Sequence, residues 1–346
     1  MRLMLQLIQQ QSMQILTVVL FTIILNLILK SVAHKVSLVD KPNARKTHQD
    51  VIPLIGGISI FLACSLSLFT FDDIPNHDLR TMVVVSGLFL FLGVLDDQFD
   101  IKANVKLLTQ ITISFMFVAS TGFQISNFSS LLGVTYSLEL GFLSLPFTIL
   151  AIVGLTNAFN MIDGCDGLAA ALAALAILAL LYLGSSHFEL STQTFLLMLV
   201  ASIFTFLLFN FSNNSMFKVF LGDGGSLFLG FIVSALLIKF AKGNETYASS
   251  IVLWFVAVPV YDFCTVVVRR LLLKRKIMSA DRSHIHHYLL SLGLSHFQTT
   301  MVILCMAIVI WCFGVFLEAN YPSLSLLAFV GLFAVYLSLR LLNRRN

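Results

Sequence analysis

Long apolar runs constrain this chain more than any other feature of its sequence. About eleven runs, each close to the ~20 residues that a helix needs to cross a bilayer, follow one another along the 346 residues. They lie near residues 13–33, 51–70, 80–95, 105–121, 141–157, 168–184, 193–211, 225–240, 249–268, 299–318 and 323–340. Because hydrophobic residues make up 58% of the chain and charged residues only 11%, a water-soluble globular fold is excluded. Only helices and closed barrels satisfy their backbone in lipid. We therefore predict an all-α polytopic membrane protein, with residues 1–346 forming one integral-membrane domain.

The Lys and Arg residues are distributed unevenly between the two ends of these spans. If the N-terminus lies outside, all 21 of them except Arg2, Arg80, Lys239 and Lys242 fall on one side. Positive charge accumulates on cytoplasmic loops, so we predict that this side, with the C-terminus, is cytoplasmic. The first run is interpreted as a span and not as a cleaved signal peptide, because no small-residue cleavage site follows it. The chemically interesting loops all lie on the predicted cytoplasmic side.

A segment dense in polar groups, residues 157–167, separates two apolar runs. It carries two amides, Asn157 and Asn160, and two carboxylates, Asp163 and Asp166. Oxygen ligands of this kind suit a hard cation such as Mg²⁺. A polar interhelical turn explains the same residue types equally well, so the remaining loops must decide.

Two adjacent acids, Asp96 and Asp97, end the run near 80–95. The helix dipole disfavours anions at a helix C-terminus by roughly 0.3–1 kcal/mol each, and nothing in the local sequence offsets that cost. A metal, a cationic partner or a proton-transfer role would offset it. Lys106 begins the next run within a few turns and could reach a phosphate.

Glycines surround another acid at the start of the run near 225–240. Gly222, Gly224 and Gly225 flank Asp223, and Ser226 follows. Free backbone N–H groups, a helix N-terminus and one carboxylate resemble a cradle for an anion or a metal. The alternative is a plain glycine-rich turn, and the Gly-Lys-Ser/Thr of a Walker A loop is missing.

The longest cytoplasmic loop, residues 269–298, contains a cluster of histidines. Arg282, His284, His286 and His287 follow a basic apolar stretch. His-x-His-His lacks the Glu and the spacing of a zinc protease, so we interpret the cluster as binding a pyrophosphate. An unspecialised cationic surface is the alternative. Asp262 lies in the span that precedes this loop. The sequence leaves two roles open for it: an ion pair with the arginines that follow, or a supporting role in the site.

Two further regions carry simpler interpretations. Residues 134–145 alternate well enough to predict a short extracytoplasmic β-hairpin. The cluster of Lys41, Arg45, Lys46 and His48 is interpreted as ordinary juxtamembrane positive charge. We expect no disulfides, because the five cysteines lie mostly within spans.

Carboxylates with Mg²⁺ and cationic donors are the recurring parts of phosphoryl-transfer chemistry. A substrate that meets them at the bilayer surface would itself be part lipid. The residues therefore predict a metal-dependent phosphotransferase that acts on a lipid-linked acceptor at the cytoplasmic leaflet. The competing class is a transporter, which would place ionisable groups near the bilayer midplane, whereas the span centres here are nearly free of charge.

The motifs resemble the signature set of the polyprenyl-phosphate N-acetylhexosamine-1-phosphate transferases. The resemblance covers essentially the whole chain, and it rests on Asp96-Asp97, on Asn157-x-x-Asn160-x-x-Asp163-Gly-x-Asp166-Gly, on Phe220-Leu-Gly-Asp223-x-Gly-Ser226 and on His284-Ile-His-His287. The segment from Val39 to Pro53 and the histidine pattern are similar to the WecA branch, which uses UDP-N-acetylglucosamine (UDP-GlcNAc) and undecaprenyl phosphate.

The resemblance implies an activity and residue roles. The reaction would transfer GlcNAc-1-phosphate to undecaprenyl phosphate and release UMP. Asn160 and Asp223 would bind Mg²⁺ or Mn²⁺. The implied catalytic residues are Asp96, Asp97, Asp163 and Asp166, and the implied substrate-binding residues are Lys106, Asn157, Asp166, Arg282, His284, His286 and His287.

The implied setting is the bacterial cytoplasmic membrane, with the active site facing the cytoplasm. The lipid bilayer is an expected partner and nucleic acid is not. The sequence leaves the oligomeric state open, a homodimer included, and it leaves other UDP-N-acetylhexosamines open as donors.

Overall fold

The computed structural model describes residues 9–40, 51–69, 76–126, 139–184, 187–243, 250–274 and 284–342. These residues form a bundle of helices with one small two-stranded hairpin. The helices are α1 (Ser12–Lys35), α2 (Gly56–Phe69), α3 (His77–Phe99), α4 (Ala103–Thr121), α5 (Ser144–Ile162), α6 (Leu168–Gly184), α7 (Leu190–Asn210), α8 (Gly222–Gly243), α9 (Ile251–Phe255), α10 (Ala257–Leu272), α11 (Ile285–Ser291), α12 (His296–Asn320) and α13 (Pro322–Leu342). A 3₁₀ turn, Gly141–Leu143, leads into α5.

In the described part of the chain, eight helical segments are long and apolar enough to cross a membrane. Two further apolar helices, α2 and α6, are shorter, with 14 and 17 residues. The prediction of an all-α polytopic membrane protein is thereby confirmed. The count of eleven spans and the orientation of the bundle stay predictions.

Two predicted spans differ from the helices that form, and proline accounts for both differences. The run near 51–70 begins as a strand through Pro53, and its helix begins only at Gly56. The run near 249–268 is divided at Val256 into α9 and α10. Pro259 lies in the first turn of α10, where its missing N–H breaks no helical hydrogen bond. A proline deeper inside a continuous helix would break one.

The predicted β-hairpin over residues 134–145 is wrong in its second half. Gly141–Leu143 forms a 3₁₀ turn and Ser144 already begins α5. The first half lies outside the described residues. Apolar side chains that alternate over so few residues also fit the first turn of a helix, which explains the error.

A small hairpin between α1 and α2 is hydrogen-bonded to the segment that precedes α8. Strand β1 (Val39–Asp40) pairs antiparallel with β2 (Ile52–Pro53), and the cationic cluster between them, residues 41–48, lies outside the described residues. The Phe220 N–H donates to the Pro53 carbonyl over 2.9 Å, and the Gly56 N–H donates to the Phe220 carbonyl over 2.9 Å. These bonds hold the chain before α8 against the start of α2.

Helix α8 lies at the centre of the bundle, and small residues allow its neighbours to approach closely. It contacts α2, α3, α5 and α6. A Cβ on Gly57 of α2 would lie 2.1 Å from the Cα of Gly225, and a Cβ on Gly93 of α3 would lie 2.4 Å from the Cα of Gly224. Backbone therefore packs directly on backbone at both crossings. This packing fixes the first turn of α8 against α2 and α3.

Candidate active site

The polar loops predicted from the sequence converge at one end of the bundle. Asp96 and Asp97 lie in the last turn of α3, and Asn160 lies in the last turn of α5. Lys106 lies in the first turn of α4, and Asp223 lies in the first turn of α8. At the opposite end, Lys239 of α8 contacts Asp78 of α3 over 3.5 Å. Because α3 and α8 run antiparallel, one pair of ends carries the motifs.

The Lys106 ammonium group lies among three of these residues. Its Nζ is 2.5 Å from Asp96 Oδ2, 3.1 Å from Asn160 Oδ1 and 3.3 Å from Asp223 Oδ2. The second Asp96 oxygen accepts the Ile101 N–H over 2.9 Å, which holds the loop between α3 and α4. Lys106 therefore supplies positive charge to an acidic cluster built from four helices.

Asp223 and Asp97 face each other across the start of α8. The Asn160 amide donates to Asp223 Oδ1 over 2.9 Å and to Ser226 Oγ over 2.9 Å. Asp97 Oδ2 lies 3.4 Å from the Gly224 nitrogen. The backbone of Gly222, with φ +76°, passes so close that a Cβ would lie 2.9 Å from Asp97 Oδ2. Glycine is needed there for both reasons.

The loop from Asp163 to Gly167 lies beside this cluster. Desolvation raises the pKa of Asp163 well above its usual range, and the negative charges of Asp223, Asp97 and Asp166 raise it further. Burial, followed by the charges of Asp166 and Asp163, raises the pKa of the Cys165 thiol to about 12, so this thiol stays protonated.

Asp166 and Asn157 each have a polar partner that the sequence analysis did not identify as part of the site. Asp166 Oδ2 lies 2.6 Å from Lys218 Nζ. The Asn157 amide donates to Gln110 Oε1 over 2.7 Å. Gln110 could have been found from the sequence, because a polar side chain inside an apolar run indicates a functional site. Lys218 carried no signal beyond its positive charge.

The histidine segment reaches the same loop through His286. A Cβ on Gly164 would lie 2.0 Å from His286 Nε2, so the imidazole packs directly on the glycine backbone. His284 and His286 are buried, and His287 is half-buried with its ring 4.3 Å from that of His286. Burial, together with the charge of His287, lowers the pKa of His286 to about 3, which keeps it neutral. Arg282 lies outside the described residues.

Asp262 supports this segment from α10. Its Oδ2 is 2.7 Å from His284 Nδ1, and its Oδ1 accepts the Ile285 N–H over 2.8 Å. Of the two alternatives that the sequence left open, these contacts favour the supporting role.

The donor atoms at the cluster fit a hard divalent cation. Asp223 and Asp97 offer carboxylate oxygens and Asn160 offers an amide oxygen, which are the ligand types that Mg²⁺ and Mn²⁺ prefer. The Asp223 side chain is 41% exposed, so its carboxylate can take a further ligand. Among the described residues, no group of three His, Cys, Asp or Glu side chains is arranged for a metal ion. The identity of the metal and the ligand set stay predictions.

Comparison with known proteins agrees with the resemblance in the motifs. The profile of glycosyl transferase family 4 matches residues 79–241. The chain is 34% identical over 308 residues to a probable undecaprenyl-phosphate N-acetylglucosaminyl 1-phosphate transferase of Bacillus subtilis (strain 168), with 89% of this chain and 85% of that protein covered. It is 32% identical over 307 residues to the undecaprenyl-phosphate alpha-N-acetylglucosaminyl 1-phosphate transferase of Yersinia pestis, with 88% and 83% covered. The transferase of the same name from Escherichia coli (strain K12) is 31% identical over 313 residues, with 90% and 84% covered.

Identity at this level over most of both chains shows common descent, and the family profile spans the region from α3 to α8 that builds the acidic cluster. The chain belongs to glycosyl transferase family 4, in the group that contains the undecaprenyl-phosphate N-acetylglucosaminyl 1-phosphate transferases.

Proposed function

We propose that this protein transfers GlcNAc-1-phosphate from UDP-GlcNAc to undecaprenyl phosphate, giving undecaprenyl-pyrophosphoryl-GlcNAc and UMP. The names of the relatives support this activity. The observation that carries it here is the convergence of Lys106 with Asp96, Asn160 and Asp223 at one end of the bundle. Phosphoryl transfer depends mainly on positioning and on neutralising charge, and this cluster offers both.

Asn160 and Asp223 would hold Mg²⁺, with Mn²⁺ as the alternative. When bound, the ion would neutralise charge on the diphosphate of the donor. Lys106 contacts both proposed ligands, at 3.1 and 3.3 Å, and would share that task by binding a phosphate oxygen. Asp97, next to the Gly224 backbone, would orient the first turn of α8 and hence Asp223.

The acceptor needs little help to become a nucleophile. A phosphate monoester has a second pKa of ~6, so undecaprenyl phosphate is largely a dianion at neutral pH. One of its oxygens attacks the β-phosphorus of UDP-GlcNAc, a new P–O bond forms, and the bond to the bridging oxygen breaks with its electron pair leaving on UMP. The displacement would therefore occur in one step, without a phospho-enzyme intermediate. Asp97 would position the first turn of α8 and would not act as a base. A covalent phospho-enzyme trapped in the absence of acceptor would contradict this mechanism.

The donor nucleotide would lie on the side of Asp166 and Asn157. Asp166 is held by Lys218 at 2.6 Å, and Asn157 is held by Gln110 at 2.7 Å. His287, the half-buried member of the histidine segment, would contact the pyrophosphate together with Arg282. His284 and His286 are buried and would support it from behind.

The proposed setting is the cytoplasmic leaflet of the bacterial cytoplasmic membrane, since the motif loops carry most of the positive charge. The product would be the lipid-linked first sugar of a cell-surface polysaccharide, of the O-antigen or enterobacterial common antigen type.

The test uses detergent-purified protein, undecaprenyl phosphate and UDP-GlcNAc labelled in the sugar, with Mg²⁺ or with EDTA. We expect metal-dependent transfer of label to the organic phase and release of UMP. Asp223→Asn should lower the rate by at least about 100-fold, the scale on which lost transition-state charge stabilisation acts. Asp97→Asn should lower it by about 100-fold, the scale of an error of ~1 Å in positioning. Asp100→Asn is the matched control, because Asp100 is exposed beside the same acids and its φ of +51° is one that Asn also adopts.

Other outcomes would change the conclusion in defined ways. Release of UDP in place of UMP would mean that only the sugar moves. Turnover with UDP-GalNAc or UDP-MurNAc-pentapeptide, but not with UDP-GlcNAc, would keep the chemistry and change the donor. Absence of turnover with every donor would favour a transporter.

A further inference from the structure

Asp262 is a buried carboxylate that the proposed reaction does not use directly. It lies within α10 and is 2% exposed. Three donors surround it: His284 Nδ1 at 2.7 Å, the Ile285 N–H at 2.8 Å and the Tyr336 hydroxyl at 3.3 Å. A buried carboxylate is costly unless it is hydrogen-bonded, so this carboxylate holds its donors firmly in place.

These contacts fix the start of α11 from outside that helix. Ile285 is the first residue of α11, and His284 precedes it without forming a side-chain cap of its own. Helix α11 has only seven residues, far fewer than the ~12–15 that an isolated helix needs to be stable. Asp262 accepts the N–H of its first residue, and it therefore supplies the cap that the histidine segment lacks.

The anchored segment then reaches the aspartate loop. The His284 ring stacks on the His286 ring with centroids 5.5 Å apart and planes inclined by 3°. His286 packs against Gly164 with no space for a Cβ between them. His287, the next residue, is half-buried. A shift at His284 would therefore move His286 and His287 relative to Asp163 and Asp166.

We propose that Asp262 is a positioning residue of the transferase, which acts through His284 and the Ile285 N–H to hold the histidine segment against the Asp163–Gly167 loop. The inference rests on the proposed function. It assigns no contact with substrate to Asp262, and it assigns His284 a role in positioning.

The two oxygens of Asp262 have separate partners, which makes the carboxylate hard to replace. Oδ1 accepts the Ile285 N–H and Oδ2 accepts the His284 Nδ1–H. Asn at this position has one oxygen and one NH₂ group. If its oxygen keeps the Ile285 N–H, its NH₂ group meets Nδ1 and forces the proton of the imidazole to Nε2. Even this isosteric change should therefore disturb His284.

A double-mutant cycle tests the proposal in the full-length protein. Asp262→Ala and His284→Ala should each lower kcat by up to about 100-fold, the scale of an error of ~1 Å in positioning. The double variant should lose no more than Asp262→Ala alone, because that change already removes the contact with His284. His284→Asn keeps a donor at the place of Nδ1–H and should stay within about tenfold of the wild type, since the hydrogen bond to Asp262 survives.

Hydrogen exchange supplies a readout that does not depend on turnover. Asp262→Ala should speed amide exchange in residues 285–291 and also in residues 163–167. Ser325→Ala is the matched control on α13: it removes the bond that Ser325 Oγ accepts from Trp254 Nε1 at 2.9 Å, and it should lower the melting temperature without changing exchange in either segment.

Each result decides one question. Additive losses in the cycle, or an Asp262→Ala variant as active as the wild type, would overturn the positioning role. Unchanged exchange in residues 163–167 would overturn the link to the aspartate loop. If the wild type transfers no sugar phosphate from any donor, the proposed function fails, and the exchange data alone then decide whether Asp262 anchors α11.

Discussion

Replacing Lys106 by Met tests whether one ammonium group neutralises the acidic end of the bundle. Lys106 Nζ lies 2.5 Å from Asp96 Oδ2, and the two side chains are only 14% and 11% exposed. Removing one partner of a buried ion pair leaves the other charge without compensation, which costs ~3–5 kcal/mol. The contact with Asp223 adds little, because that side chain is 41% exposed and solvent screening limits such pairs to ~1 kcal/mol. We expect Lys106→Met to lose ~3–5 kcal/mol of folding stability in EDTA.

The effect of Asp96→Asn should then depend on whether Lys106 is present. When Lys106 is present, the amide oxygen introduced by this change would still accept the Ile101 N–H, and Lys106 would keep Asp223 and Asn160. The loss should therefore be ~1.5–3 kcal/mol, that of one charged hydrogen bond. In the Lys106→Met background the same change removes the unpaired buried charge. There Asp96→Asn should increase stability.

Thermal unfolding in detergent micelles, followed by the fluorescence of the two tryptophans, measures these differences. A loss of ~3–5 kcal/mol corresponds to a fall in melting temperature of at least about 5 °C. Lys102→Met is the matched control: Lys102 is exposed immediately before the same helix, and surface changes of this kind usually stay within ~0.5 kcal/mol. If Asp96→Asn destabilises both backgrounds equally, the pair carries no net stabilisation and the reasoning fails.

Three further predictions test the packing, the histidine segment and the orientation. Gly93→Ala should cost ~1–3 kcal/mol of folding stability through overpacking, because its Cβ would lie 2.4 Å from the Gly224 Cα. Gly154→Ala is the control and should be neutral or stabilising, because nothing lies within 4 Å of its Cβ. Equal melting temperatures for the two variants would refute the close crossing. Burial and the charge of His287 lower the pKa of His286 to about 3 in the folded protein. Between pH 3 and 6.5 His286 therefore binds its proton only in the unfolded chain, and folding stability should fall by roughly 2 kcal/mol from pH 7 to pH 5. Parallel curves of stability against pH for the wild type and His286→Gln would contradict this. Asn213 is exposed in the loop after α7. When Asn213→Cys is introduced into a cysteine-free variant, its thiol should react with a membrane-impermeant maleimide in inverted vesicles but not in right-side-out vesicles. The reverse pattern would invert the proposed topology.

The elements that the sequence predicted well are those with a local physical signal. Runs of apolar residues long enough to span a bilayer indicate helices, because a helix satisfies its own backbone hydrogen bonds where lipid excludes water. Asp96, Asn160 and Asp223 stood out because polar groups are costly at the ends of such runs. The predictions that failed also had local causes: Pro53 delays the start of α2, and the alternation near residue 141 belongs to a helix start and not to a strand.

The metal, the roles of Asp163 and Asp166, and the binding of pyrophosphate by Lys106, Arg282, His284, His286 and His287 stay predictions. They depend on ligands as well as on the fold. The resemblance to a transferase family, by contrast, is confirmed by relatives that match the chain over most of its length.

By itself, the sequence determined that this chain is a helical membrane protein, and it placed the polar motifs at the ends of the apolar runs. Only the tertiary structure decided which atoms meet. Lys106 and Asp223 are 117 residues apart, and no spacing rule relates them. Their contact depends on α3 packing against both α4 and α8, where Gly93 lets two backbones touch. Polarity and period are properties of a segment, whereas a hydrogen bond between distant segments depends on the packing of the whole bundle.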